Sequence, residues 1–319
     1  MNVIELWHNK KKSWLVESDS VLKEPGNLVI ESLYSFVSQG TECLVISESL
    51  SPILSSKMRV PFMKGDFHSD FTYGYSTVGH VLEGPEHLKN KNVHLMHPHQ
   101  NLLIAQAEDV FVLPEMMDPK LGTLASNMET AVNAIWDAQI EVGDKVLIVG
   151  YGTIGALTAL LAKNIIGTEV FVLDKNEKRI DSAVRHGIKV YEEGCDDFFD
   201  IVFNTSANQE IIQKAFEVTR SEGKIVELSW FGDKSISIKL GADFHYGRKQ
   251  LICSQVSQIP YRKQPIWDFK KRKELVFKLL ESLNPQYIIE SEIPFLKTPS
   301  FYDRMRNGEV TDLGIVVKY

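Results

Sequence analysis

At 319 residues, with 44% apolar and 24% charged side chains, the chain has a globular composition and the length for about two domains. Its net charge of −7 excludes a general nucleic-acid binder, which would carry a basic face. The cysteines, Cys43, Cys195 and Cys253, lie too far apart to frame a disulfide scaffold, which points to a reducing, cytoplasmic setting.

The opening MNVIELWHNKKK places its basic run after a very short apolar stretch, the wrong order for a secretory signal. Short strands are expected at Val3–Trp7, Ser13–Glu17, Leu28–Ser35 and Glu42–Ile46. Turns at Glu24-Pro25-Gly26-Asn27 and Gln39-Gly40 separate them. Ser49 to Pro61 is rich in serine and proline and reads as a loop. β-Branched residues and glycines across Tyr73–Pro85 suggest bent strands of a compact, barrel-like domain. Asn92–Met96, Leu102–Ala105 and Val110–Leu113 continue it.

From Pro119 the texture changes: Leu121–Ser126 and Met128–Ala138 are helical in composition. Residues 144–174, DKVLIVGYGTIGALTALLAKNIIGTEVFVLD, form the most informative stretch. Val146–Val149 is wholly apolar, as in a strand buried on both faces of a parallel sheet. Gly150, Gly152 and Gly155 follow with the spacing G-x-G-x-x-G, and they interrupt the longest apolar run, 146–162, which excludes a membrane span. Gly150 allows a tight turn, Gly152 lets a pyrophosphate approach the backbone, and Gly155 lets the helix pack on the strand. With Thr153 and Ile154, these glycines open a helix whose N-terminus attracts phosphate. The second strand, Val170–Leu173, ends in Asp174, placed to accept hydrogen bonds from ribose hydroxyls. An acid there favours NAD over NADP, while Lys175 and Arg179 soften the preference.

Beyond Asp174, strands at Lys189–Tyr191, Ile201–Asn204, Lys224–Trp230 and Gln250–Val256 surround a helix at Gln209–Thr219, the alternation of a doubly wound parallel sheet. A helix at Trp267–Leu283 carries an apolar stripe of Leu275, Val276, Leu279, Leu280 and Leu283, read as packing. Ile288–Phe295, a short helix near Ser300–Arg306 and a strand Leu313–Tyr319 follow. The basic clusters Lys10–Lys12 and Lys270–Lys273 read as solvated faces.

A β-rich first half, a late nucleotide fold and a C-terminal return are the order of the medium-chain dehydrogenase/reductases, which the chain resembles along almost its whole length. Val37-Ser38-Gln39-Gly40-Thr41-Glu42 is similar to the I-S-R-G-T-E segment of a zinc-lacking branch, the bacteriochlorophyllide dehydrogenase-like proteins. Gly74-Tyr75-Ser76-Thr77-Val78-Gly79 falls on the family's G-H-E-x-x-G, and Ser126-Asn127-Met128-Glu129-Thr130-Ala131 on its C-x-x-x-T-A. The resemblance implies a GroES-like β-barrel catalytic domain over 1–127, an NAD-binding Rossmann domain over 128–262 and a return to the catalytic domain over 263–319. It also implies a homodimer joined at the edge strand Gln250–Val256, a small-molecule substrate, and neither nucleic acid nor membrane as partner.

The positions of the family's zinc ligands hold Ser38, Tyr75 and Ser126, and its adjacent glutamate position holds Ser76. Neutral hydroxyls do not make a zinc site, so no metal is expected. His94, His97 and His99 alternate, but Pro98 interrupts the ladder. Hydride chemistry without zinc needs other groups to stabilise the developing oxyanion. Tyr75, Ser38, Thr41, Glu129 and His99 are the catalytic candidates, Glu129 as a base or as a partner orienting a histidine. Arg59 and Lys57 are candidates for lowering the tyrosine pKa or for holding an anionic substrate group; His97, His245 and Trp230 are further pocket candidates. Three readings stand: an NAD(H)-dependent, zinc-independent oxidoreductase of secondary alcohols and ketones, an NADPH quinone or enone reductase, or a non-catalytic NAD-binding protein.

Overall fold

The computed structural model describes residues 2–18, 26–48, 50–192, 194, 198–241 and 243–319, so Cys195, Ser49 and the Glu24-Pro25 half of the first expected turn lie outside the described residues. Its contacts divide the chain into one unit of residues 1–126 and 273–319 and a second of residues 127–272. The return to the first unit thus falls later than residue 263. Trp267, whose ring lies 5.0 Å from that of Trp136, stays with the second unit.

The first unit begins with β1 (Val3–His8), β2 (Ser13–Ser18) and β3 (Leu28–Val37), followed by α1 (Gln39–Ser47) and α2 (Pro52–Met58). Then come β4 (Phe71–Thr72), β5 (Thr77–Glu83), β6 (Asn92–Leu95), β7 (Leu102–Ala105), β8 (Val110–Val112) and α3 (Pro119–Gly122).

Two expectations fail here. Glu42–Ile46 is helix rather than strand, because both ends of α1 are tied by side chains, one from within the helix and one from far away in the chain. Glu42 reaches back to the Ser38 N–H at 2.7 Å, and Lys10 Nζ caps the far end at the carbonyl oxygens of Val45, 2.7 Å away, and Glu48. These caps outweigh the strand preference of Val45 and Ile46. The expected loop at 49–61 contains α2, started by Ser51 Oγ accepting from Leu54 N and by Pro52 in the first turn.

The second unit runs through α4 (Ala125–Ala138), β9 (Lys145–Val149), α5 (Thr153–Lys163), β10 (Glu169–Leu173), α6 (Glu177–Arg185), β11 (Lys189–Val190), β12 (Phe199–Asn204), α7 (Gln209–Val218), β13 (Thr219–Glu227), α8 (Asp243–Tyr246) and β14 (Gln250–Cys253). β13 and β14 stop at Glu227 and Cys253, short of the expected Trp230 and Val256. The six strands are all parallel in the order β11-β10-β9-β12-β13-β14. That is the Rossmann order, with its reversal point between β9 and β12. Leu147, Val149, Phe171, Phe199, Val202, Phe216 and Ile225 build a core on this sheet.

The chain ends with α9 (Phe269–Leu283), β15 (Ile289–Pro294), α10 (Thr298–Arg306) and β16 (Gly314–Lys318). β16 returns to β3, completing a seven-stranded sheet in the order β15-β16-β3-β5-β6-β8, with β7 also paired to β3. A smaller sheet of order β2-β1-β4 accompanies it. These are the GroES-like and Rossmann parts of an α/β fold. The 270–273 cluster is not a solvated face throughout, since Arg272 and Lys273 are both buried. Arg272 is compensated by Glu129 Oε1 at 3.2 Å, Asn133 Oδ1 at 3.0 Å and the Val256 carbonyl at 2.8 Å.

Candidate active site

In the second unit, the turn between β9 and α5 uses each glycine differently. Gly150 sits at φ +90°, a conformation L side chains rarely adopt. A Cβ on Gly155 would lie 1.9 Å from the Gly150 carbonyl oxygen, so α5 can approach the turn only without one. Gly152 has an ordinary φ of −84°, and a Cβ there would meet nothing within 4 Å. Neither backbone strain nor a protein neighbour requires glycine at 152. A ligand against the backbone would. α5 begins there with a glycine at its N-cap, and Thr153 and Ile154 are the half-buried residues of its first turn.

Asp174 closes the cradle after β10. Its Oδ2 accepts the Tyr151 N–H at 2.6 Å and its Oδ1 the Asn176 N–H at 2.8 Å. Each carboxylate oxygen accepts more than one hydrogen bond, so Asp174 can brace the glycine turn and still receive a ribose hydroxyl. Arg179 Nη1 stands 3.9 Å from Asp174 Oδ2, and the buried Arg179 Nε has no partner among the described residues. An open glycine backbone at the start of a helix and a terminal carboxylate fit a dinucleotide. Glu129, also in this unit, pairs with Arg272.

In the first unit, Tyr75, Ser38 and Thr41 converge. Tyr75 Oη donates to Ser38 Oγ and lies 3.3 Å from Thr41 Oγ1. Burial raises the Tyr75 pKa, hydrogen bonds to Ser38 and Thr41 pull it back, and the nearby Glu42 charge raises it again. Ser126 Oγ donates to the Tyr75 carbonyl at 3.1 Å, and Ser76 Oγ to the Thr123 carbonyl at 2.7 Å. His94 Nε2 stands 3.0 Å from Ser76 Oγ and 3.4 Å from Ser126 Oγ. Both hydroxyl protons are committed to carbonyls, so Nε2 is the donor to them. Burial holds His94 well below the usual histidine range.

His99 lies behind this cluster, fully buried, with Nδ1 2.7 Å from Ser35 Oγ and Nε2 3.3 Å from Glu42 Oε2. Tyr302 also donates to Glu42 Oε2, and Tyr319 Oη stands 2.9 Å from Ser35 Oγ. Sequence reasoning does not single out Glu42, Tyr302, Tyr319 and Ser35, which surround the cluster, and it weighs His94 only with His97 and His99 as a metal group. Only the spacing Ser38-x-x-x-Glu42 carried a local hint, as a carboxylate one helical turn beyond a helix-starting serine.

The remaining candidates lie elsewhere. Arg59 donates to the Gly65 and Met63 carbonyls, tying its own loop, and Lys57 is exposed. His97 stacks on Phe62 with its Nδ1 2.9 Å from the Pro98 carbonyl, and burial lowers its pKa to about 4. His245 is exposed on the short α8, and Trp230 is 39% exposed beyond the end of β13.

The residues that the sequence resemblance sets at the family's zinc-ligand positions are neutral hydroxyls, a donor set that does not suit zinc. Ser38 Oγ and Tyr75 Oη bond to each other, and Ser126 bonds to a carbonyl. Among the described residues, no group of three His, Cys, Asp or Glu is placed to hold a metal ion. Nor is any described helix long and apolar enough to cross a membrane.

No family model matches the chain. The D-guloside 3-dehydrogenase of Shigella flexneri is 26% identical over 209 residues, 60% of this chain and 59% of that protein. An uncharacterized zinc-type alcohol dehydrogenase-like protein of Escherichia coli is 30% identical over 141 residues, 40% of this chain and 41% of that one. The chain thus spans little more than half the length of curated relatives it matches, 59% and 53% of two D-guloside 3-dehydrogenases. Among solved structures, the L-idonate 5-dehydrogenase of Escherichia coli superposes with TM-score 0.81 at 14% identity, over 100% of this chain and 99% of that one. An acetophenone reductase from Geotrichum candidum in complex with NAD gives 0.78 at 14% identity, over 100% of this chain and 97% of that one. Likeness at this level establishes the fold.

Proposed function

We propose that the chain is a medium-chain dehydrogenase/reductase that uses NAD(H) and no zinc to move hydride between nicotinamide and a secondary alcohol or ketone. The observation that carries the reading is the Tyr75–Ser38–Thr41 hydroxyl cluster, two of whose members fall on the positions that the sequence resemblance gives to metal ligands, in a chain whose second unit holds an open glycine cradle. The relatives' names, dehydrogenases and a zinc-type alcohol dehydrogenase-like protein, support hydride chemistry on an alcohol. The zinc type among them is the point on which this chain's own residues depart.

Gly150, Gly152, Gly155, Thr153 and Ile154 would hold the pyrophosphate, and Asp174 with Arg179 the adenosine ribose. When bound there, the dinucleotide would supply hydride to a carbonyl carbon or, in the reverse direction, take it from the carbinol carbon. As the carbonyl π pair moves to oxygen, Tyr75 transfers its phenolic proton and completes the alcohol. Ser38, which accepts from Tyr75 in the resting state, and Thr41, 3.3 Å from it, then turn their own protons toward the phenolate. Because burial raises its pKa, Tyr75 stays protonated at neutral pH and acts as the acid of the reductive direction. Glu129 supports Arg272 within the second unit, and His99 supports Glu42, which serves the hydroxyl cluster at one remove.

The resemblance also supports a homodimer in the cytoplasm, paired through the outer edge of β14, where Leu251 is 41% exposed. The test of the cofactor assignment is a fluorescence titration with NADH and NADPH, with Asp174→Ala as control. Tight NADH binding, weak NADPH binding and a narrowed gap in the variant are expected. A preference for NADPH would favour the quinone or enone reductase, a reading to which the unpartnered Arg179 Nε lends support. Binding of neither would overturn both.

A further inference from the structure

Ser38 stands at the N-cap of α1, where a serine ordinarily turns its hydroxyl back to accept a helix N–H. Here it makes no such cap, and its Oγ accepts from Tyr75 Oη instead. What ties down the helix start is Glu42, whose Oε1 accepts the Ser38 N–H at 2.7 Å. The other carboxylate oxygen is approached by Tyr302 Oη and by His99 Nε2.

The directions of these bonds follow from the chemistry of the groups. A carboxylate only accepts, so both Tyr302 and His99 Nε2 donate to Glu42. With its proton on Nε2, His99 accepts at Nδ1 from the Ser35 hydroxyl, whose oxygen then accepts from Tyr319. The donors of β3, the 97–100 loop, α10 and the C-terminal Tyr319 therefore run one way, toward a single carboxylate that is 1% exposed. A buried acceptor held by several donors has one geometry, and it passes that geometry to the Ser38 backbone.

We propose that Glu42 is the positioning residue of the hydroxyl cluster: by holding the Ser38 N–H, it fixes the Ser38 backbone at φ −82° and ψ 82° and so aims the hydroxyl at Tyr75 rather than at the helix N–H groups. The inference rests on the catalytic reading of Tyr75 for its kinetic consequence. Its structural consequence stands without that reading.

The test is a crystal structure of Glu42→Ala beside the wild type, with Glu42→Gln as the conservative variant. In Glu42→Ala, Ser38 Oγ rotates back to cap α1 and leaves Tyr75 with Thr41 alone. Glu42→Gln keeps an oxygen for the Ser38 N–H, and its amide can donate to Tyr302 and His99 after they reverse, so the Ser38–Tyr75 contact persists. Should Glu42→Ala fail to fold, Tyr302→Phe, which removes one donor and leaves the carboxylate, is expected to shift the Ser38 hydroxyl in the same sense by a smaller amount. If a ketone substrate is turned over, Glu42→Ala lowers kcat by about 100-fold with KM and NADH affinity little changed, the loss expected when a reacting group is misplaced by about 1 Å. Glu42→Gln recovers most of it. An unmoved Ser38 hydroxyl in Glu42→Ala, or in Tyr302→Phe if that is the variant that folds, overturns the proposal even in an active enzyme. A rotated hydroxyl in a protein that turns over no carbonyl upholds it and sinks the catalytic reading instead.

Discussion

Replacing Gly152 and Gly155 separately by alanine should split folding from cofactor binding. At Gly155 the new Cβ would sit 1.9 Å from the Gly150 oxygen, against the 3.0 Å that real Cβ atoms essentially never pass. The obstacle is backbone, anchored where Gly150 N donates to the Leu173 carbonyl at 2.8 Å. Relief requires α5 or the turn to move by more than an ångström, and overpacking of this kind costs about 1–3 kcal/mol or more. At Gly152 the Cβ meets nothing within 4 Å and φ is −84°, so the substitution should change stability by no more than about 0.5 kcal/mol. It does place a methyl in the cradle. Losing one charge-assisted hydrogen bond to phosphate costs about 1.5–3 kcal/mol, or about 10- to 150-fold in Kd. Denaturant unfolding and NADH fluorescence titration of both variants separate the effects. A Gly152→Ala protein that binds NADH like the wild type, or a Gly155→Ala protein as stable as the wild type, would refute the reasoning.

Removing Arg272 as alanine leaves Glu129 and Asn133 without their guanidinium, and breaking such a buried pair is expected to cost about 3–5 kcal/mol, read as a lower denaturation midpoint. Acid should weaken the fold through its buried histidines. His97 has its pKa lowered from 6.5 to about 4, so the unfolded chain binds the extra proton first and stability falls as pH drops below about 6.5. Between pH 7.5 and 5.5 the loss from His97 alone is about 1.3 kcal/mol, and His8 and His94, lowered in the same direction, add to it. Unfolding free energies that are flat across that range would count against neutral buried imidazoles. Lys10→Met should fray the C-terminal end of α1 by uncapping the Val45 carbonyl, seen as faster amide exchange there, and unchanged exchange would show the cap to be idle.

The cofactor cradle was legible because its parts are local. Strand, glycines, helix and Asp174 lie within 144–174, and period and spacing carry them. The barrel strands were legible from their turns, whereas α1 was not. Its apolar residues suit a strand, and the groups that make it helical come partly from Lys10, far away in the chain. The positioning network was beyond sequence reasoning for the same reason. It gathers residues 35, 42, 99, 302 and 319, which no periodicity connects. Asp174 shows the intermediate case: its place was readable, but its hydrogen bonds to the Tyr151 and Asn176 N–H groups were not. The 270–273 cluster misled because charge in a sequence looks solvated until the partners that bury it, here Glu129 and Asn133, are seen.

The most direct test of the central claim is hydride transfer by metal-stripped protein. NADH oxidation is followed with a panel of ketones before and after chelation, with metal content measured and Tyr75→Phe run alongside. The account predicts that turnover survives stripping, gains nothing from added zinc and falls by at least about 100-fold in Tyr75→Phe, the scale of a lost general acid. Turnover that vanishes on stripping and returns with zinc, or that is indifferent to Tyr75, would contradict it.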